Sequence, residues 1–190
     1  MNEEWNEETG RDELLAIRCQ LGEGAAFDEL IERYAERLRG YVRRVANSDS
    51  DADDLVQDAW LRILRGLPGL RDPARLRAWV FGIAHRVIID RLRSRYAEPA
   101  HAPIEVLVDE ADLQAEHLKR DQVERGLAAL APPEREAVVL FYLEQLPLAE
   151  MAEVMDVPLG TAKSRLHRAR TRLRAVLEDP HAPAGTGAIR

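Results

Sequence analysis

Between Leu159 and Leu177 the chain carries side chains suited to hydrogen-bonding bases and phosphates: Lys163, Ser164, Arg165, His167, Arg168, Arg170, Thr171 and Arg172. At 100° per residue, Gly160, Ser164, His167, Arg168 and Thr171 share one face of a helix, with Lys163 beside them and Arg165 and Arg172 on the other flank. Ala162, Leu166, Ala169 and Leu173 form the opposite, apolar face. Short polar side chains let such a helix sink into the major groove, and longer basic ones reach base edges or phosphates. An ordinary amphipathic surface helix would mix acids into its exposed face, and from Leu159 to Leu177 there are none. The chemistry is recognition of nucleic acid. Enzymatic chemistry is not expected: His85, His101, His117, His167 and His181 lie far apart with no metal-ligand spacing, and no glycine-rich phosphate loop is present. Neither a cofactor nor a metal is anticipated.

A second basic set lies in Arg71–Arg95. Arg75, Arg86 and Arg93 fall within about 20° of one another on the helical wheel, beside Ala78 and Gly82, which leave room for a phosphate backbone. Leu76, Val80, Ile83 and Val87 form the apolar stripe. Trp79, at its edge, suits either the core or stacking on an exposed base. A third set, Asp51-Ala52-Asp53-Asp54-Leu55-Val56-Gln57-Asp58-Ala59-Trp60, is acidic. A calcium loop starting at Asp49, with Asp51 and Asp53 as its alternating aspartates, fails, because its sixth position is Asp54 where Gly is needed and its twelfth is Trp60 where Glu is needed;. Acids in a first helical turn explain Asp51, Asp53 and Asp54. Gln57, Asp58 and Trp60 fit a docking surface better, since a large aromatic beside polar groups marks one.

Helices must position these groups. Helical periodicity dominates and no alternating strand pattern appears. The spacing predicts helices over Asp12–Gln20, Ala25–Ala46, Ala52–Gly66 and from Asp72-Pro73 to about Arg95, where Asp caps and Pro takes the first position. After a Pro-containing linker at 96–112, helical signal resumes at 113–130. A further helix follows at Glu134–Glu144, and then a helix-turn-helix pair breaks at Asp156-Val157-Pro158. The expected fold is all-α: two small helical domains, 12–95 and 113–178, joined by a flexible linker, the second containing the helix-turn-helix. Residues 1–11 and 179–190 read as disordered.

Charge is segregated along the 190 residues. Net charge is −9 over residues 1–60, +7 over 61–95, −10 over 96–157 and +5 over 158–190, for −7 in total. Two polyanion-facing surfaces on a body that repels nucleic acid predict poor DNA binding by the isolated chain and delivery by a partner. One cysteine, Cys19, excludes an internal disulfide and sits in a helical pattern as a buried thiol;. No signal peptide or membrane-length apolar run is evident, so a cytoplasmic protein without membrane insertion is expected.

Three motifs in order resemble the sigma-70 family of bacterial transcription initiation factors, in particular its extracytoplasmic-function (ECF) subgroup: DADDLVQDAWLRI (Asp51–Ile63), RAWVFGIAHRVIIDRLR (Arg77–Arg93) and LPLAEMAEVMDVPLGTAKSRLHRAR (Leu146–Arg170). The leader DELLAIRCQLGEGAAFDELIERY fits the same pattern. The resemblance implies that Asp51, Asp54, Gln57, Asp58 and Trp60 dock on the beta-prime clamp helices of core RNA polymerase, with the beta flap as a further contact. It implies that Arg71, Arg75, Arg77, Trp79, His85, Arg86 and Arg93 meet the minus-ten element and its melted strand. It assigns the minus-thirty-five element to Thr161, Lys163, Ser164, Arg165, His167, Arg168, Arg170, Thr171 and Arg172. Promoter DNA, core polymerase and an anti-sigma factor are the implied partners. Arg86 stands where similar proteins often carry Asn, which keeps phosphate contact but removes the usual side chain for a base-specific role. A free-standing helix-turn-helix regulator would need a two-fold symmetric operator, whereas the sigma reading requires two dissimilar, spaced elements. A pure adaptor would need no segregated basic helix.

Overall fold

Leu30, Tyr34, Leu38, Tyr41 and Val42 recur at three- and four-residue steps and are all buried, which makes Gly24–Ala46 (α2) a core helix;. In the computed structural model, which describes residues 2–46, 49–97 and 123–178, α2 packs with Asn2–Gln20 (α1), Asp49–Gly66 (α3) and Leu76–Ala97 (α4). Two 3₁₀ turns, Leu67–Gly69 and Pro73–Arg75, lead from α3 into α4. The Gln20 amide fixes this connection, donating to the carbonyl oxygens of Leu70 at 2.7 Å and Leu67 at 3.3 Å.

The second half comprises a helical segment at 123–128, Pro132–Val138 (α5), a π turn at Val139–Leu143, Leu148–Val154 (α6) and Leu159–Glu178 (α7). Pro132 opens α5, where its missing N–H costs nothing;. The turn between α6 and α7 is a Schellman motif: the Val157 N–H bonds the Ala152 carbonyl at 3.0 Å, and the Asp156 N–H bonds that of Glu153 at 3.1 Å;. Asp156 supplies the left-handed residue, with φ 51°. Pro158 then prevents α6 from continuing, and its carbonyl receives the first N–H groups of α7;.

The buried apolar residues form one cluster through both halves. Polar contacts stitch the halves together at their boundary. The Tyr41 hydroxyl donates to Glu136 Oε1 at 2.6 Å, and His85 Nδ1 meets the same oxygen at 2.6 Å. A carboxylate only accepts, so His85 carries a proton on Nδ1. Arg37 pairs with Glu144 at 2.9 Å, Arg44 with Glu124 at 2.7 Å, and Arg75 with Glu153. Because α4 is enclosed by α1, α2 and α3 on one side and α6 on the other, Leu76, Val80, Phe81, Ile83, Ala84, Val87 and Ile88 are all buried.

Several expected boundaries shift. Residues 2–11, expected to be disordered, are helical, and Glu8 reaches Arg77 at 2.7 Å. Helix α3 begins at Asp49, three residues before the expected start. Pro73 takes the first position of its turn as expected, but the Asp72 side chain makes no capping bond and only its backbone carbonyl holds the Arg75 N–H. Cys19 is buried, and burial pushes its thiol pKa up;. The linker, the first part of the 113–130 helix and the tail lie outside the described residues.

Candidate nucleic-acid interface

Helix α7 packs against α5 and α6 through Ala162, Leu166 and Ala169, all buried, with Leu173 partly so. This turns Lys163, Ser164, His167, Arg168, Arg170, Thr171 and Arg172 to solvent, with Thr161 and Arg165 half-exposed. The side chains of Lys163 and His167 make no hydrogen bond or ion pair among the described residues, so their donors are available. Ser164 and Thr171 bond carbonyls of their own helix, at Thr161 and His167. Arg170 lies apart from the others: its Nε donates to the Tyr142 hydroxyl at 2.6 Å, and its guanidinium stands 5.5 Å from the Tyr142 ring centre. Arg168 and Arg172 both bind Glu134, whose partnership the sequence did not reveal.

The basic face of α4 is a groove lined by Arg71, Arg75, Ala78, Trp79, Gly82 and Arg86, closed on one side by Glu153 and Val154 from α6. Trp79 is half-buried. Its ring lies against Gly66, where an added Cβ would come within 3.1 Å of Cζ2, so the indole is both packed and groove-facing. A Cβ on Gly82 would meet nothing within 4 Å, leaving that part of the helix surface open. Arg71, Arg86 and Arg93 are exposed and have no hydrogen-bond or ion-pair partner among the described residues. Arg75 is taken by Glu153, the hydrogen bond raising its pKa.

Two residues expected on this face turn inward. Arg77 is buried and held by Glu8 and by Asp12, the latter at 3.1 Å. His85 is buried against Glu136. Both sit one or two positions off the Arg75–Arg86–Arg93 line, on the side of α4 that meets other helices. Burial of a charged guanidinium without such carboxylates would be prohibitive.

On α3, Asp54, Gln57 and Asp58 share one solvent-facing stripe, with Asp58 paired to Arg62 at 3.0 Å, which also reaches Asp90 at 2.9 Å. Leu61, 45% exposed, lies at the centre of that stripe and was not singled out from the sequence;. Trp60 is half-buried on its flank, packed on the core. Asp51 stands 3.6 Å from Arg91 at the start of the helix.

Two helical modules, one with a helix-turn-helix whose second helix is basic and exposed, define the class of fold. Family comparison makes this specific: sigma-70 region 2 matches residues 30–98, and sigma-70 region 4 matches residues 120–173. The chain belongs to the sigma-70 family, in its ECF subgroup. It is 36% identical over 170 residues to the ECF RNA polymerase sigma factor SigM of Mycobacterium tuberculosis (strain ATCC 35801 / TMC 107 / Erdman), covering 90% of this chain and 86% of that protein. It is 25% identical to ECF RNA polymerase sigma factor SigW of Bacillus subtilis (strain 168), covering 83% of this chain and 92% of that one. Among solved structures it is similar to CnrH in complex with the cytosolic domain of CnrY, with 28% identity and a TM-score of 0.63 over 88% of this chain and 97% of that one. No described helix is long and apolar enough to cross a membrane.

Proposed function

We propose that this chain binds core RNA polymerase and directs it to promoters whose minus-thirty-five element is read by α7 and whose minus-ten element meets α4. The observation that carries this reading is the solvent-facing surface of α7, free of acids from Leu159 to Leu177, on an apolar back held by a helix-turn-helix. In this reading Lys163, Ser164, His167 and Arg168 face base edges, while Thr161, Arg165, Thr171 and Arg172 hold the backbone. Arg170, engaged with Tyr142, flanks them. Arg71, Arg75, Trp79, Arg86 and Arg93 face the minus-ten strand, and Arg77 and His85 support the fold beneath it. Asp51, Asp54, Gln57, Asp58 and Trp60, joined by Leu61, form the polymerase-facing surface.

The closed arrangement belongs to the chain before promoter binding. Elements named minus ten and minus thirty-five lie about 25 base pairs apart, or about 85 Å at ~3.4 Å per base pair. A compact chain of 190 residues has a radius of gyration of only about 16 Å;. The stretch between residues 97 and 123 spans up to roughly 80–90 Å when extended, enough for the halves to separate. Separation also frees Arg75 from Glu153. Control by an anti-sigma factor is part of the proposal, supported by the likeness in fold to the sigma factor RpoE of Bartonella quintana, which was solved in complex with the anti-sigma factor NepR.

The test is run-off transcription of genomic fragments by core polymerase with and without this chain. New discrete transcripts sharing two dissimilar upstream elements are expected. No transcripts and no co-migration with core polymerase would refute the proposal. Asp58→Lys should abolish co-migration yet leave thermal stability within about 1 kcal/mol, because the Asp58–Arg62 pair is exposed;.

A further inference from the structure

We infer that Glu134 is a positioning residue for promoter reading, holding Arg168 and Arg172 so that the two terminal nitrogens of Arg168 face the groove. This rests on the proposed role of α7. Glu134 lies in the first turn of α5, and its side chain is only 7% exposed, while those of Arg168 and Arg172 are 58% and 53% exposed. Each carboxylate oxygen takes a different arginine: Oε1 lies 3.2 Å from Arg168 Nε, and Oε2 lies 2.9 Å from Arg172 Nη1.

The choice of atoms carries the argument. A guanidinium has five N–H groups on one rigid plane. Tethering Arg168 by Nε leaves Nη1 and Nη2 together at the free end, the pair that binds O6 and N7 of guanine or two oxygens of one phosphate. Arg172, four residues on, would otherwise repel Arg168. Sharing one buried carboxylate fixes the spacing of both, so neither pivots independently. An acid on a phosphate-facing surface opposes DNA binding electrostatically. A mere counter-charge and a positioning residue therefore predict opposite changes when the charge is removed.

The experiment uses the full chain with core polymerase on a promoter library randomised through the minus-thirty-five element upstream of a fixed minus-ten element, with transcripts sequenced. Wild type is expected to select bases, and Arg168→Ala to lose selection at one or two positions. Glu134→Gln is expected to lose selection at those same positions by about tenfold, the worth of one well-placed base contact, while total yield on unselected sequences holds or rises. Glu134→Asp, which keeps the charge but withdraws it, is expected to lose the same selection, and Glu134→Gln melting within a few degrees of wild type separates this effect from unfolding. Unchanged selection in both Glu134 variants, with or without higher yield, would overturn the inference while leaving the function of α7 intact. An Arg168→Ala variant that scales all sequences equally, or a wild type without selection, would overturn the base-reading role and the inference with it.

Discussion

Replacing Glu136 with alanine should unlatch the two halves. Its Oε1 receives the Tyr41 hydroxyl and meets His85 Nδ1, each at 2.6 Å, and all three side chains are buried. Burial, followed by the adjacent Glu136 carboxylate, pushes the Tyr41 hydroxyl well above its ordinary pKa, so it remains a donor at any working pH. Truncation leaves a phenol and an imidazole N–H without an acceptor, at about 1–3 kcal/mol each. About 3 kcal/mol shifts the closed-to-open ratio by roughly a hundredfold. Tyr41→Phe removes one donor and leaves the His85 contact, so its effect should be about half as large. Dyes on cysteines introduced at exposed Arg65 and Arg174 report the separation by energy transfer, with native Cys19 left buried. Transfer should fall in Glu136→Ala and less in Tyr41→Phe, while helix content by circular dichroism stays unchanged. If both variants keep wild-type transfer, the buried contact is not what joins the halves, and the reasoning fails.

Arg135→Met should cost about 3–5 kcal/mol in urea denaturation, because the buried guanidinium serves the carbonyls of Leu127, Ala128, Leu130 and Arg44, all of which lose that donor, while Leu127 keeps a backbone partner in the Leu130 N–H;. Asp156→Gly should stabilise by about 0.5–1 kcal/mol and raise the melting temperature by a few degrees, since glycine takes the left-handed position of the Schellman turn without a Cβ penalty;. The Glu144 carboxyl is raised above its ordinary 4.5 by burial, which outweighs the pull of Arg37. Its raised value means that the closed form favours the protonated acid. The contribution is therefore full below pH 4.5 and lost as pH rises through the raised value;. Energy transfer should decline over that interval, and Glu144→Gln should flatten the decline.

The exposed basic face of α7 was legible because it obeys local periodicity: Ala162, Leu166 and Ala169 lie inside and the basic residues outside, as a single helix seen alone requires;. The line of Arg75, Arg86 and Arg93 on α4 was legible for the same reason. Arg77 and His85 were not, because their placement is decided by partners on other helices, Glu8 and Asp12 on α1 and Glu136 on α5. The triplet Glu134-Arg135-Glu136 shows this most clearly. All three charges are buried, each by a different set of partners: the arginines of α7 for Glu134, the nearby carbonyls of Leu127, Ala128 and Leu130 with the distant one of Arg44 for Arg135, and the Tyr41–His85 pair for Glu136. Residues 2–11 misled in the opposite direction. They read as disordered, while the structure gives Glu8 a buried cation to face.

The location of Tyr41 and His85 on the earlier half and Glu136 on the later one also gives the protein a history on the ribosome. At about 5–20 residues per second, roughly 4–16 s separate synthesis of Ala97 from that of Glu178. During that interval Arg75 has no Glu153 to pair with and the latch is incomplete. Each newly made chain thus passes through a brief stage in which its first module presents an uncovered basic groove. Any ligand that favours that groove meets the nascent chain on better terms than the finished one.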